Sequence, residues 1–422
     1  MKEEDNMTKP QRIVDVHERL PLGEALPLSL QHLFAMFGST VLVPFLTGLN
    51  PSIALLTSGI GTLIYILLTK GMIPGYLGSS FAFIGPILAV SKAEGVSAAL
   101  FGCLLSGIVY IIVAAIIRNA GTKWLDRILP PVVVGSIVIV IGLGLAGTAV
   151  DMASKDWTVA SVALIIAIIA SAFFRGFLGV IPILLGIIGG FVFAAIQGMV
   201  DFSTVSQAAW FALPDFTMPK ASWSAALLIA PVALVTIAEH IGHLLVTENI
   251  VGRNLMKNPG LHRSMLGDGV ATALAGLLGG PPSTTYGENI GVMAITRVYS
   301  VRVIAGAAVF AILFSFIGKF SAIISSIPVP VMGGISILLF GIIASAGLRM
   351  LVESGINYNH KRNLIISSVI LVLGVGGAKV HIGDLQIEGM ALATFAGILL
   401  NLVLPRGLNE GDAAEQSEKV VH

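Results

Sequence analysis

Charge is what this sequence has least of. Only 11% of its 422 residues are Asp, Glu, Lys or Arg, against about a quarter in a soluble domain, which excludes an ordinary water-facing surface. Neither sign is in excess: Lys and Arg number 24, Asp and Glu 23, and the net charge is +1. No nucleic acid or other polyanion is therefore expected as a partner. Cysteine occurs once, as Cys103, so an internal disulfide is excluded. The first 26 residues lack an apolar run. No cleavable signal sequence is expected there, and the segment reads as a solvated tail.

What fills the space is apolar. Hydrophobic residues make up 55% of the chain and glycine contributes 48 positions, a composition suited to helices packed closely in a bilayer. A spanning helix needs roughly 20 mainly apolar residues. Full-length candidates fall near 28–47, 52–69, 96–117, 131–150, 158–174, 177–199, 223–246, 264–280, 302–325, 330–348, 361–377 and 387–405. Two further segments, near 78–92 and 283–297, are too polar and too interrupted to be ordinary spans. Counting both as crossings, with the amino terminus inside, leaves only Lys92, Lys155, Lys220, Lys319 and Lys379 of the 24 basic residues outside. That asymmetry follows the positive-inside rule, and dropping either broken segment reverses it for the loops beyond. Trp124, Trp157, Trp210 and Trp223 fall at or near span ends, where amphipathic rings sit at the interface.

A repeat is visible as well. LPPVVVGSIVIVIGLGLAG (129–147) resembles VPVMGGISILLFGIIASAG (329–347), with Pro131, Gly135 and Gly142 matching Pro330, Gly334 and Gly341 at one constant offset. The two broken segments, YLGSSFAFIGP and PPSTTYGENIG, stand about as far apart. Seven crossings per copy is an odd number, so the second copy is inverted. The expected fold is an all-α polytopic membrane protein. It has 14 transmembrane segments in two inverted 7-segment repeats, with two short antiparallel strands in segments 3 and 10. Paired, Gly/Pro-interrupted segments in inverted halves point to a transporter's binding site.

The chemistry gathers at two places. In the broken segments, Ser, Thr, Phe and Tyr favour extended backbone, and Pro281 and Pro282 stop an upstream helix from running in. Each is expected to be a short strand followed by a half-helix, the second beginning near Glu288 or Asn289 with its positive dipole end toward a polar pocket. The other polar island is TIAEHIGHLLVTENI (236–250). Glu239 and His243 are four apart and share a helical face; His240 points elsewhere and reads as a packed or interfacial histidine. An ionisable group this deep is a functional candidate by default. The order E-H-x-x-H differs from the H-E-x-x-H of zinc proteases, so a metalloenzyme using Glu239, His240 and His243 is the minor reading and no metal site is expected. Two carboxylates plus backbone donors from strand ends complement a small planar ring with alternating N–H and C=O groups, such as uracil. Phe81 and Tyr286 could stack on its faces, and a desolvated glutamate offers a route to proton coupling.

ENIGVMAITR (288–297) resembles the signature Q/E/P-N-x-G-x-x-x-x-T-R/K/G of the nucleobase–ascorbate transporter (nucleobase:cation symporter-2) family. SLQHLFAMFGSTVLVP, GSSFAFIGP, AEHIGHLLVT, NPGLHRSM and TTYGENIGVMAITRVYS look like the bacterial uracil permeases within it, and the similarity runs from about Pro27 to Leu404. The resemblance implies a core domain (27–118 and 201–326) and a gate domain (119–200 and 327–406), flanked by tails 1–26 and 407–422. Homodimers contacting through the gate domain are implied, and so is a multi-pass placement in the bacterial inner membrane with both termini cytoplasmic. It implies proton-coupled uracil import rather than an enzyme, with no cofactor beyond the proton as coupling ion, and membrane lipid as surroundings. Glu239 and Glu288 are implied to bind the ring N–H groups, and the backbone amides of Phe81 and Gly287 the carbonyls. Ser39, Phe81, Tyr286 and Phe340 would line the pocket, with Ser39 where uracil permeases often have alanine and Phe340 where they often have tyrosine. Purine-transporting relatives usually carry glutamine at the place of Glu288, which favours a pyrimidine over the alternative of xanthine or uric acid. Glu239 with His243 is the implied proton-coupling pair. Asn289 would support the carboxylates, and Asp268 resembles an aspartate important in purine members, with a structural or a coupling role.

Overall fold

The computed structural model describes residues 12–382 and 385–405. The expected tail 407–422, the first eleven residues, and Arg406 lie outside the described residues. The chain is mostly helical. α1 (Leu22–Thr47) turns at Gly48 into α2 (Pro51–Leu68), whose first turn is capped by the Asn50 side chain accepting from Ser52 N. β1 (Leu77–Ser79), a 3₁₀ turn at Phe81–Phe83 and α3 (Ile84–Glu94) follow, then α4 (Val96–Ala120). The next stretch holds α5 (Lys123–Ile128), α6 (Pro131–Leu143), α7 (Ala146–Ala153), α8 (Trp157–Phe173), α9 (Phe177–Val180), α10 (Pro182–Ile196) and α11 (Ser203–Gln207). α12 (Trp223–Ile229) continues through a 3₁₀ turn at Pro231 into α13 (Ala233–Val251), and α14 (Leu261–Leu278) runs back. β2 (Ser283–Thr285) leads into α15 (Gly287–Thr296), then α16 (Val301–Ser315) and α17 (Gly318–Ser325). Last come α18 (Val329–Glu353), α19 (Lys361–Val375), a hairpin of β3 (Lys379–Ile382) and β4 (Leu385–Glu388), and α20 (Gly389–Val403).

Six helical stretches among the described residues are long and apolar enough to cross a membrane: Leu22–Thr47, Pro51–Leu68, Val96–Ala120, Pro131–Ala153, Trp223–Val251 and Val329–Glu353. Some expected spans carry breaks within them. The stretch 302–325 divides between Ser315 and Gly318, and 223–246 turns at Pro231, where the missing N–H forbids a regular α-helical bond. The β3–β4 hairpin was not expected from the sequence.

Close helix contacts are made by glycine. A Cβ at Gly107 on α4 would lie 2.3 Å from Ala273 N and 2.6 Å from Gly269 O on α14. One at Gly142 on α6 would lie 2.4 Å from Phe340 O on α18. Two helix pairs thus meet backbone to backbone, the mode of association that dispersion favours when lipid tails are as apolar as the side chains.

The expected solvated tail is in part a strap. Val14 N donates to Arg297 O (2.9 Å), Tyr299 N to Val14 O (2.9 Å) and Val301 N to Val16 O (3.0 Å). Val14 and Val16 are buried, and Arg253 donates to Asp15 (2.5 Å). The strap takes this path because the backbone between α15 and α16 has free donors and acceptors that a short parallel segment can satisfy.

Candidate functional site

The two polar breaks lie side by side. β1 and β2 pair antiparallel, Leu77 opposite Thr285, Gly78 opposite Thr284 and Ser79 opposite Ser283. Ser80 N donates to Pro282 O (2.9 Å) and Tyr286 N to Tyr76 O (3.0 Å), extending the ribbon at both ends. A two-stranded ribbon has two bare edges, which an apolar interior does not tolerate. Here each edge is met by a hydroxyl. Leu77 N donates to Thr62 Oγ1 on α2 (3.0 Å), and Ser283 N donates to Thr272 Oγ1 on α14 (3.2 Å). Thr272 in turn donates to Ser283 O (2.9 Å), and Ser58 donates to Leu77 O (2.5 Å).

α15 begins at the end of β2. Its N-cap, Tyr286, is extended and supplies no side-chain cap, so the first-turn amides of Gly287 and Glu288 point out without intrahelical acceptors. Glu288 is half-buried, and its Oε1 accepts from Ser39 Oγ on α1 at 2.5 Å. Asn289 is buried. Its amide donates to His32 O (3.1 Å) and lies 3.2 Å from His32 Nδ1, while its Oδ1 has no partner. Ser80 Oγ and Thr284 Oγ1 are likewise buried and unpartnered. Orphaned polar atoms at this density mark a place that expects water or a polar ligand.

Glu239, on α13, is half-buried and has no hydrogen-bond partner among the described residues; Glu288 and Asp268 lie within electrostatic range of it. One turn on, His243 places Nδ1 3.2 Å from Thr285 Oγ1. Its Nε2 lies 3.4 Å from where a Cβ on Gly287 would be. His240 is fully buried, with Nδ1 2.7 Å from Asp268 Oδ2 and Nε2 2.7 Å from Ser264 Oγ, which meets Tyr65 OH at 2.7 Å. Asp268 is therefore the partner of His240 rather than of the open carboxylates. Both His240 nitrogens are committed, and among the described residues no group of three or more His, Cys, Asp or Glu side chains could hold a metal ion.

Phe81 and Phe340 meet edge-on with centroids 6.3 Å apart. Phe81 also lines a cavity of about 250 Å³, with Pro86, Val140, Ile141, Leu228 and Met390 among its walls. Glu239 and Glu288 are not among the lining residues of that cavity. Tyr286 is buried; its ring packs over Gly78, where a Cβ would lie 2.2 Å from Cε2, and its hydroxyl donates to Ser79 O (2.8 Å). Sequence reasoning missed Thr62, Thr272, Thr285 and His32, which hold the site residues in place. Only Thr285 carried a signal, as the last hydroxyl of the STT run.

Comparison with known proteins fits this architecture. A model described as Permease family matches residues 23–383. The chain is 57% identical over 415 residues to a uracil permease of Bacillus caldolyticus, covering 94% of this chain and 96% of that protein. It is 58% identical over 410 residues to a uracil permease of Bacillus subtilis (92% and 94% covered) and 52% identical over 403 residues to one of Escherichia coli K12 (93% and 94%). Among solved structures, the transmembrane domain of the cyanobacterial bicarbonate transporter BicA aligns with a TM-score of 0.61 at 12% identity, over 90% of this chain and 97% of that one. The murine Solute Carrier 26 member A9 anion transporter, in its inward-facing state, aligns with a TM-score of 0.70 at 10% identity (95% and 73%). At such identities these structures speak for the fold alone. With a family model matching residues 23–383 and more than half of the aligned residues identical to these relatives, the chain is a member of this permease family.

Proposed function

We propose that this permease imports uracil across the bacterial inner membrane in symport with protons, by alternating access. The observation that carries the reading is the pairing of two part-open carboxylates, Glu239 and Glu288, with the uncapped amino terminus of α15, in a chain more than half identical to uracil permeases. Carboxylates accept from ring N–H groups, and the amides of Gly287 and Phe81 donate to ring carbonyls. Ser39 orients Glu288 through its hydroxyl. Phe81 and Phe340 form an aromatic wall beside the ring, and Asn289 holds α15 against α1 through His32.

In this reading Glu239 takes up the coupling proton together with uracil while the site faces out, with His243 one turn away as its partner. A core domain (27–118 and 201–326) then shifts against a gate domain (119–200 and 327–406), the proton leaves inside, and both termini remain cytoplasmic. The cavity beside Phe81 lies between these two units: Phe81, Pro86 and Leu228 belong to the core, Val140, Ile141 and Met390 to the gate. Binding must bias the two states through different contacts in each. Two inverted seven-segment repeats and a homodimer joined through the gate domain complete the proposal.

The test is radiolabelled uracil uptake into proteoliposomes with the outside acidic and the inside neutral, with xanthine as competitor. Accumulation above equilibrium that collapses with a protonophore is expected. Uptake that only equilibrates overturns the coupling, and displacement by xanthine with none by uracil overturns the substrate.

A further inference from the structure

Thr285 stands between two histidines, and its hydroxyl proton can go to only one of them. Its Oγ1 lies 3.2 Å from His243 Nδ1 and 3.4 Å from His240 Nδ1. His240 Nδ1 is already taken: Asp268 Oδ2 is 2.7 Å away, both side chains are fully buried, and two lone pairs at that distance must share a proton. The proton on His240 Nδ1 is therefore held beside the carboxylate by close charge contact, and its Nε2 lies 2.7 Å from Ser264 Oγ, whose own hydroxyl can accept from Tyr65. Thr285 is left with one acceptor, His243 Nδ1. A histidine ring that accepts at Nδ1 carries its proton at Nε2, and Nε2 is the nitrogen that lies against Gly287.

We propose that Asp268, His240 and Thr285 act as positioning residues that fix the tautomer of His243, so that its Nε2–H joins the Gly287 amide as a donor reserved for a ring carbonyl. The consequence is selectivity. A carbonyl oxygen at that place is accepted, whereas an exocyclic amino group there would set donor against donor, as it would for cytosine against uracil. The Thr285 backbone carbonyl is also within reach of the His243 ring and offers the competing arrangement, with the proton on Nδ1. In that arrangement the buried Thr285 hydroxyl has no acceptor, which costs the desolvation of an unmade hydrogen bond.

The inference rests on the reading of the site as a uracil site, and two readouts separate the two. In ¹⁵N-histidine-labelled wild-type protein without ligand, with the His243 signal identified by its loss in His243→Gln, the imidazole shifts should show a bare Nδ1 and a protonated Nε2. A proton on Nδ1 overturns the proposal whatever the protein transports. The second readout is the ratio of uracil to cytosine binding. Thr285→Val keeps the shape and the strand propensity but removes the hydroxyl, and should lower this ratio about tenfold, the worth of one hydrogen bond. Thr285→Ser restores the hydroxyl and should keep the ratio within about threefold, inside the usual spread of a single hydrogen bond. An unchanged ratio in folded Thr285→Val overturns the proposal. A wild type that binds no uracil, yet shows the expected tautomer, overturns the substrate reading and leaves the positioning chain standing.

Discussion

Glu288 is held by one hydroxyl and otherwise open, and that balance decides what its replacement does. Glu288→Gln keeps the shape but turns an acceptor-only carboxylate into an amide that, in the proposed uracil site, presents a donor to the ring N–H. Loss of a hydrogen bond to a charged group costs about 1.5–3 kcal/mol, so uracil affinity should fall roughly 10- to 150-fold, measured by equilibrium binding to purified protein. Ser39→Ala removes only the orienting hydroxyl at 2.5 Å. About 1 kcal/mol, or fivefold, is expected there; a larger loss than in Glu288→Gln would reverse the assignment of roles. The carboxylates themselves were legible in the sequence, since Glu239 and Glu288 are ionisable residues in apolar surroundings. The partnership of His240 with Asp268 was not. It depends on which faces of α13 and α14 meet, and no spacing within either helix encodes that.

At the scale of elements, the glycines separate into those that touch and those that do not. Gly107→Ala would press a methyl into the backbone of α14 at Ala273. Overpacking of this kind costs about 1–3 kcal/mol or more, read as a lower melting temperature in detergent. Gly147→Ala, on the exposed face of α7 with nothing within 4 Å, should change stability by no more than about 0.5 kcal/mol. Outside the spans, Ser222 (2.6 Å) and Ser224 (2.5 Å) donate to the Glu94 carboxylate and hold it below the usual carboxylate range. The tie between the end of α3 and the start of α12 is therefore complete above the ordinary carboxylate value. It is lost as pH falls through the lowered one. Hydrogen exchange at the Ala225 amide, which the Ser222 hydroxyl caps, should quicken on acidification, and in Glu94→Gln it should be fast at neutral pH too. The positions of the two helix breaks could be read from Pro281, Pro282 and the serine and threonine runs. That the strands would find Thr62 and Thr272 to cover their edges could not, because a threonine in an apolar helix looks the same whether it bonds its own backbone or another strand.

For the whole molecule, the strap formed by residues 12–20 joins elements far apart in the chain, since Val14 pairs with Val298 and Asp15 with Arg253. Deleting residues 1–20 should leave the spans intact and lower the melting temperature by a few degrees, as expected for about 1–2 kcal/mol in a large chain. An unchanged melting temperature would show that the strap follows the core without holding it. Composition alone announced a membrane protein. It did not announce this strap, because valines next to charged residues at a chain end carry no pattern that distinguishes docking from solvation.

The pairing of β1 with β2 also sets a clock. Ser79 meets Ser283, and 283 − 79 = 204 residues must be synthesised between the arrival of one and the arrival of the other. At about 5–20 residues per second, β1 waits roughly 10–40 s for its partner. Throughout that interval Thr62 can serve one edge of β1, but the other edge has no protein acceptor, and hydrocarbon cannot supply one. The nascent amino-terminal half must keep that stretch in contact with water or with the insertion machinery until the ribosome has passed Thr285. Any chain released earlier carries a bare backbone edge whose N–H and C=O groups only water or another chain can satisfy.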